Sequence, residues 1–543
     1  MKGPLFVLCL LTLSSTLSAD TYPRQTGVDA IHYVFRLTLT DASNEIAGES
    51  TATIRFVTAG VKEFALDLTS AGNGNGMTVS AVTCTGGGTT FKHEADRLRI
   101  TLPLPPNPGD EMSCTTTYRG VPAGGLRIVD NIHGERTAFS ENWPNNARQW
   151  LPMIDHPYDK ATGEFIVTAP ARYQVAANGL LVEEIDLPGD MRRTHWKQSV
   201  AIASWLFALG MARFDAHHYA TVRSVPLQSW VFPQDREKGQ AAFELLGRRA
   251  FEYFSDQIGP YAYEKLAHVQ AAGLGGGTEH ASVIFYGEKG VAGGRAPVVH
   301  EVAHQWFGDA VTERDWDDVW LSEGFATYFT LLFTEQFEGR DAFVAGLKRS
   351  RAAILEVEQK MPDTPVIHRN LSDMRRVLNQ FVYQKGGWTL HMLRGLIGTE
   401  AFWNGIRQYY RRYMNQNAST DDFRRAMESA SGMDLGWFFA QWLTRSGVPK
   451  LTGTWRYDAA AKQVVVDLTQ SHPGEPYRLA IDIGISTRTA ENAPAMRVEK
   501  AEMIERAATF KFASESEPAD VVLDPATRLL MSPPELNRKE QGP

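Results

Sequence analysis

His300-Glu301-Val302-Ala303-His304, followed by Trp320-Leu321-Ser322-Glu323-Gly324-Phe325-Ala326-Thr327-Tyr328, is the pair of stretches from which the fold of this chain is read. On a helix, residues four apart lie one turn apart on one face, so His300 and His304 can offer two imidazoles to one ion. Glu301 projects beside them, near enough to act on a water at that ion. Glu323 comes after 18 intervening residues and heads a second helical run. The connection 309–319 is of turn length and lets that helix fold back on the first. Two His and one carboxylate leave a fourth position open for water, which is the donor set of a catalytic Zn²⁺ site, one ion per chain.

Outward from this pair, residues 215 to about 447 carry apolar residues at spacings of three and four. Helices are expected over 237–258, 341–359, 385–397, 401–414 and 420–431. Ser322 and Thr420 stand where N-caps stand, and Gly398 and Gly432 where helices stop. On both sides the period changes to two. Tyr33-Val-Phe-Arg-Leu-Thr-Leu-Thr and Glu164-Phe-Ile-Val-Thr alternate apolar and polar residues before the helical region, and Gln463-Val-Val-Val-Asp-Leu does so after it. The expected class is therefore α+β and multidomain, with an N-terminal antiparallel β domain (20–214), a mainly helical zinc catalytic domain (215–449) and a smaller C-terminal β-sandwich-like domain (450–532). The polar stretch 533–543 reads as a tail.

The 543 residues exceed what one hydrophobic core organises, in keeping with several domains. The net charge of −8 and pI near 6.0 argue against a nucleic-acid partner, because phosphate neutralisation needs a basic surface. Residues 1–19 run from Lys2 through an apolar stretch at Leu5–Leu11 to small residues at Ser18 and Ala19, the order of a secretory signal peptide. After its removal no apolar run has transmembrane length. A periplasmic or secreted location follows. Three Cys are present; Cys9 leaves with the leader, and Cys84 and Cys114 remain, as a disulfide in an oxidising compartment or else as two free thiols.

With these motifs assembled, the chain resembles the M1 zinc aminopeptidases, the gluzincin group related to aminopeptidase N and leukotriene A4 hydrolase. His304-Gln-Trp-Phe-Gly and Trp320-Leu-Ser-Glu-Gly-Phe-Ala look like that family's metal helices. Gly276-Gly-Thr-Glu-His280 sits where the family carries its Gly-x-Met-Glu-Asn exopeptidase motif, and Tyr383-Gln-Lys-Gly386 resembles its Tyr-x-Lys-Gly motif. Residues 147–157 resemble the segment that brings the β domain to the active site, and 437–449 the end of the catalytic domain. The resemblance covers roughly 30–450. It implies a thermolysin-like catalytic domain and hydrolysis of N-terminal residues from free-amine peptides. The long helical C-terminal domain of the family has no counterpart here.

The resemblance also implies roles. His300, His304 and Glu323 hold zinc, Glu301 is the general base and acid, and Tyr383 stabilises the oxyanion. Glu279 pairs with the substrate ammonium, while Gly276, Gly277 and His280 complete the substrate edge. Thr278 and His280 depart from the family's Met and Asn, and Trp143 stands where a second amine contact is usual, with Glu141 two residues away. Thr278, Trp143 and Tyr286 are further candidates for shaping the pocket. Two alternatives stand beside this reading: a zinc endopeptidase, and a peptide-binding or scaffold protein with a vestigial metal site. Oligomeric state is not encoded legibly.

Overall fold

A computed structural model of the chain describes residues 20–488 and 494–539. The expected leader, 1–19, lies outside them. Alternation dictates the N-terminal architecture. Ile46–Phe56 and Lys160–Pro170 bury nearly every second side chain, as half-buried strands must. They belong to a seven-stranded sheet in the order Leu180–Leu187, Met191–Ala203, Lys160–Pro170, Val28–Thr38, Ile46–Phe56, Glu111–Val121, Gly76–Cys84. One pairing departs from the expected antiparallel domain: Val28–Thr38 runs parallel to Lys160–Pro170. Strands so far apart in sequence are joined by other elements, and no local pattern records their direction. A three-stranded and a four-stranded sheet complete the domain, with Phe35, Ile54, Leu66, Ile100 and Phe165 in its core.

Cys84 and Cys114 face each other directly across the edge pair of the large sheet and are joined by a disulfide.

The catalytic domain begins with a mixed five-stranded sheet in the order Asp215–Val222, Val225–Val231, Leu266–Ala271, Val283–Gly287, Gly277–Thr278. The helical reading of this region missed it for a physical reason. Leu266–Ala271 and Val283–Gly287 are buried at every position, so they show no alternation. Gly277–Thr278 is the edge strand, antiparallel to Val283–Gly287. The long helix Arg236–Gln257 covers the sheet. Val298–His304 and Trp320–Glu338, the two metal helices, follow. Arg340–Lys360, Gly386–Ile397, Thr399–Tyr413 and Thr420–Ser431 lie close to their expected bounds. The connection between the metal helices holds a short strand, Val311–Glu313, paired with Gln416–Ala418, and a 3-10 turn, Trp316–Asp318.

Two expected caps fall elsewhere. Ser419, not Thr420, caps its helix, in a reciprocal capping box with Asp422. Thr420 Oγ1 instead donates to Asp318 at 2.7 Å. Ser322 lies inside the second metal helix and has a different use, described below.

After Pro449 the described residues are strands in two sheets, four-stranded and three-stranded, whose inner faces share Val464, Val466, Ile481, Ile483 and Ile485. Glu535–Arg538, read as part of a tail from its polarity, adds a parallel edge strand to Leu451–Asp458. It is largely exposed, so its sequence carries no apolar period. The domain is joined to the catalytic one by Gln441, whose side-chain amide donates to Arg478 O at 3.1 Å and accepts from Arg478 N at 2.8 Å, while buried Lys385 holds the connecting segment, its Nζ donating to Arg445 O and Gly447 O at 3.0 and 2.9 Å. Among the described residues no helix is long and apolar enough to cross a membrane.

The disulfide spans 30 residues of sequence, and a loop of that length stabilises by about 3–4 kcal/mol through the unfolded chain. Replacing both cysteines by serine is expected to lower the urea midpoint accordingly while leaving zinc content unchanged. Denaturation of wild type with and without reductant measures the same difference.

Candidate metal centre

The first metal helix has seven residues and begins just after Pro297, a residue that cannot donate and therefore suits a helix start. Its last turn places His300 and His304 side by side. The ring nitrogens His300 Nε2 and His304 Nε2 are 3.2 Å apart, and each lies 3.4 Å from Glu323 Oε2. Ligands about 2.0–2.1 Å from a tetrahedral ion are separated by about 3.3–3.4 Å, so this triangle has the dimensions of three corners of a zinc tetrahedron. Glu323 Oε2 is buried and makes no hydrogen bond of ordinary geometry. His304 Nδ1 lies 3.2 Å from Phe307 O and 3.0 Å from Ser322 Oγ. Donation to that carbonyl puts the proton on Nδ1 and leaves the Nε2 lone pair facing the site. The donor set, two imidazoles and one carboxylate, fits Zn²⁺.

Charge supports the same assignment. Glu279, Glu301 and His304 form a second cluster whose ligand atoms lie within 4.8 Å of one another. Three buried acids thus face one small volume. Burial raises the Glu301 carboxyl well above the ordinary range, and the neighbouring Glu279 and Glu323 add to it. Glu279 is raised to about 7, by burial first and by Glu323 and Glu141 as well, with His304 opposing. Glu323 goes the other way: its burial is outweighed by His304 and His300, which bring it to about 2. A dication at the triangle offsets this excess of negative charge.

Glycines let the parts approach. A Cβ on Gly277 would come within 2.5 Å of the Glu301 carboxyl group, so the edge strand lies against Glu301 with no side chain between them. Gly324 and Gly386 meet backbone to backbone, where a Cβ on either would lie 3.0–3.1 Å from the other. That contact brings the turn Phe381–Lys385, which has the wide π-helical form, against the second metal helix. Tyr383 on this turn stacks on His300 with ring centroids 6.3 Å apart. Burial and then the facing Glu323 carboxylate hold its phenol protonated far above the ordinary value, so it is a neutral donor.

A cleft of about 410 Å³ opens beside the metal ligands, lined by Glu279, Glu323, Tyr383, Gly277, Thr278, Gly275, Glu141 and Trp143 among others. The N-terminal domain supplies the last two. Trp143 is held by Trp316 and Trp205, with ring centroids at 5.0 and 5.9 Å. Three expected residues are not brought to the cleft. Gly276 is in a left-handed turn, with its carbonyl accepting from Gly287 N at 2.8 Å. His280 is fully buried and packs edge-on against Phe285, its ring kept neutral by burial, with a pKa of about 4. Tyr286 is fully buried with its hydroxyl 3.0 Å from His268 Nδ1. The sequence reading missed Arg127, whose charge faces Glu141, and the wall formed by Met374, Val377 and Leu378. Neither bears a local signal. It also missed Ser322 as partner of His304, although the position beside Glu323 was in view.

Similarity to known proteins agrees with this geometry. The profile described as the peptidase family M1 domain matches residues 247–442, and that of the peptidase M1 N-terminal domain matches 29–206. The chain belongs to peptidase family M1. Glutamyl aminopeptidase of Bos taurus is 27% identical over 369 residues, 64% of this chain but 38% of that protein. The chain thus matches well under half the length of that relative. Among solved structures, the M1 zinc metallopeptidase of Deinococcus radiodurans superposes with a TM-score of 0.66 at 26% identity, covering 80% of this chain and 96% of its own. Legionella pneumophila aminopeptidase A, solved in complex with aspartic acid, gives 0.79 over 97% of this chain and 61% of its own; at 18% identity that likeness concerns the fold alone.

Ser322→Ala removes a partner of His304 Nδ1 while sparing all three ligands. Zinc affinity, measured by chelator competition, is expected to fall about 10-fold or more, with turnover at saturating zinc much less affected.

Proposed function

We propose that this chain is a zinc-dependent aminopeptidase that hydrolyses N-terminal residues from peptides bearing a free amine. The observation that carries this reading is the presence of Glu279 and Glu141 in the cleft lined by Glu323, the carboxylate that His300 and His304 face at 3.4 Å. An acid placed beside the ligands can hold an α-ammonium and so fixes the scissile bond at the first residue.

Zn²⁺ held by these three side chains supplies Lewis-acid polarisation of the carbonyl and a lowered pKa for the attacking water. Glu301, buried against Gly277, takes a proton from that water and later delivers it to the departing amide nitrogen. Tyr383 donates its hydroxyl to the carbonyl oxygen as negative charge develops there, a contribution of about 3 kcal/mol in comparable oxyanion sites. Glu279 holds the substrate ammonium, with Glu141 as a second acid from the neighbouring domain. The edge strand Gly277–Thr278 offers unpaired backbone groups to an extended peptide. The endopeptidase alternative requires chain to continue past these acids, and the vestigial-site alternative leaves the ligand triangle without a use.

We further infer export, to the periplasm or beyond the cell. The charged–apolar–small order of residues 1–19 supports it, and so does a disulfide in the first domain.

A panel of aminoacyl fluorogenic substrates, each free and N-acetylated, tests the activity. Release is expected only from the free amines, lost with a zinc chelator and restored by Zn²⁺; equal cleavage of the acetylated set would refute the exopeptidase reading. Glu301→Gln is expected to keep its zinc and lose about 10²–10⁴-fold in kcat. Glu279→Gln is expected to lower kcat/KM for free-amine substrates about 10-fold or more, as loss of one charged hydrogen bond does.

A further inference from the structure

Asp20 is buried, at 7% exposure, and its carboxylate oxygens and main-chain nitrogen are engaged. Its Oδ2 lies 2.8 Å from His156 Nε2 and accepts from the Trp316 amide at 3.0 Å. Its Oδ1 accepts from Tyr22 N at 3.0 Å. Its main-chain nitrogen donates to a carboxylate, Asp315 Oδ1, at 2.8 Å. Asp315 is itself mostly buried, and its other oxygen receives Arg24 at 2.6 Å.

Carboxylates crowd this corner: Asp20, Asp315, Asp317 and Asp318 are near neighbours, and Arg24 pairs with Asp315. An ammonium at the residue 20 nitrogen would offset part of that negative charge, where an amide offers only a hydrogen bond. Residues 1–19 read as a leader whose small residues, Ser18 and Ala19, end at this nitrogen.

We propose that the chain is processed between Ala19 and Asp20, and that the α-ammonium released pairs with Asp315 in a buried ion pair that secures the connection between the metal helices. A leader peptidase adds water across the Ala19–Asp20 bond. The C–N bond breaks, hydroxyl joins the Ala19 carbonyl carbon and hydrogen joins the Asp20 nitrogen. The acid proton then passes through solvent to that nitrogen, leaving a carboxylate on Ala19 and an ammonium on Asp20.

The ion pair reaches the site through two short paths. Asp315 caps the turn Trp316–Asp318 by accepting from Asp317 N at 3.2 Å, and that turn leads into the helix carrying Glu323. Asp317 accepts from Asn370 N and Leu371 N at 2.9 and 3.0 Å, while Thr21 N donates to Leu371 O at 3.2 Å. The segment that follows, Met374–Leu378, walls the cleft. A mature chain start thus braces both the third zinc ligand and the substrate wall.

The processing step rests on the export reading above, but the ion pair can be tested without export. A chain beginning at Asp20 can be released in the cytosol from a cleavable fusion, beside one that retains Ala19. Zinc content and free-amine turnover are read on the same samples, so a failed peptidase reading is distinguishable from a failed ion pair. Three results are expected. The exported protein begins Asp-Thr-Tyr by N-terminal sequencing. Retaining Ala19 lowers Tm by about 2 °C or more, and Asp315→Asn abolishes the difference between the two chain starts. The native α-amine reacts at neutral pH with an acylating reagent about 10-fold or more slowly than in the unfolded protein, as an amine buried in an ion pair should. Processing at another bond, equal Tm with and without Ala19, or acylation at the unfolded rate would each overturn the proposal. If Asp315→Asn does not fold, the Ala19 comparison and the labelling rate still decide.

Discussion

The structure depends on one electrostatic constraint: three acids, Glu279, Glu301 and Glu323, are buried around a point that two imidazoles also face. Such a group cannot persist ionised in a low-dielectric interior without a cation to offset it. The ligand triangle, with edges of 3.2–3.4 Å, gives that cation its place. Much of the catalytic domain keeps these groups dry and fixed. Trp306, Trp316, Trp320 and Phe325 are essentially inaccessible to solvent, and the polar partners of His304 lie within the same two segments.

Close approach is the second condition. A carboxylate pressed on an edge strand and a phenol carried on a neighbouring helix need backbones nearer than side chains permit, and glycine provides this at Gly277 and at the Gly324–Gly386 contact. The wide turn at Phe381–Lys385 then sets Tyr383 against His300, while Lys385 points away to hold Arg445 and Gly447 in the segment that leads to the C-terminal domain. One short segment therefore serves both the metal centre and the approach to the domain junction. The N-terminal domain is equally committed. It delivers Glu141 and Trp143 to the cleft, and Asp20, Arg24 and His156 to the connection between the metal helices.

The sequence by itself determined the zinc ligands and the order of β, helical and β regions. Each of these is local: a helix turn places i and i+4 together, and alternation marks a half-buried strand wherever one face meets solvent. For the same reason the sheet inside the catalytic domain was illegible, because Leu266–Ala271 and Val283–Gly287 are buried on both faces. The edge strand Glu535–Arg538 was illegible because its side chains are largely exposed. Only the tertiary structure decided the rest: the parallel pairing of Val28–Thr38 with Lys160–Pro170, the withdrawal of His280 and Tyr286 into the core, the arrival of Glu141 and Arg127 at the cleft, and the use of Ser322 on His304 rather than as a cap. These are contacts between residues far apart in the chain or on facing elements. Their geometry is set by packing whole domains together, and no periodicity in a single segment encodes it.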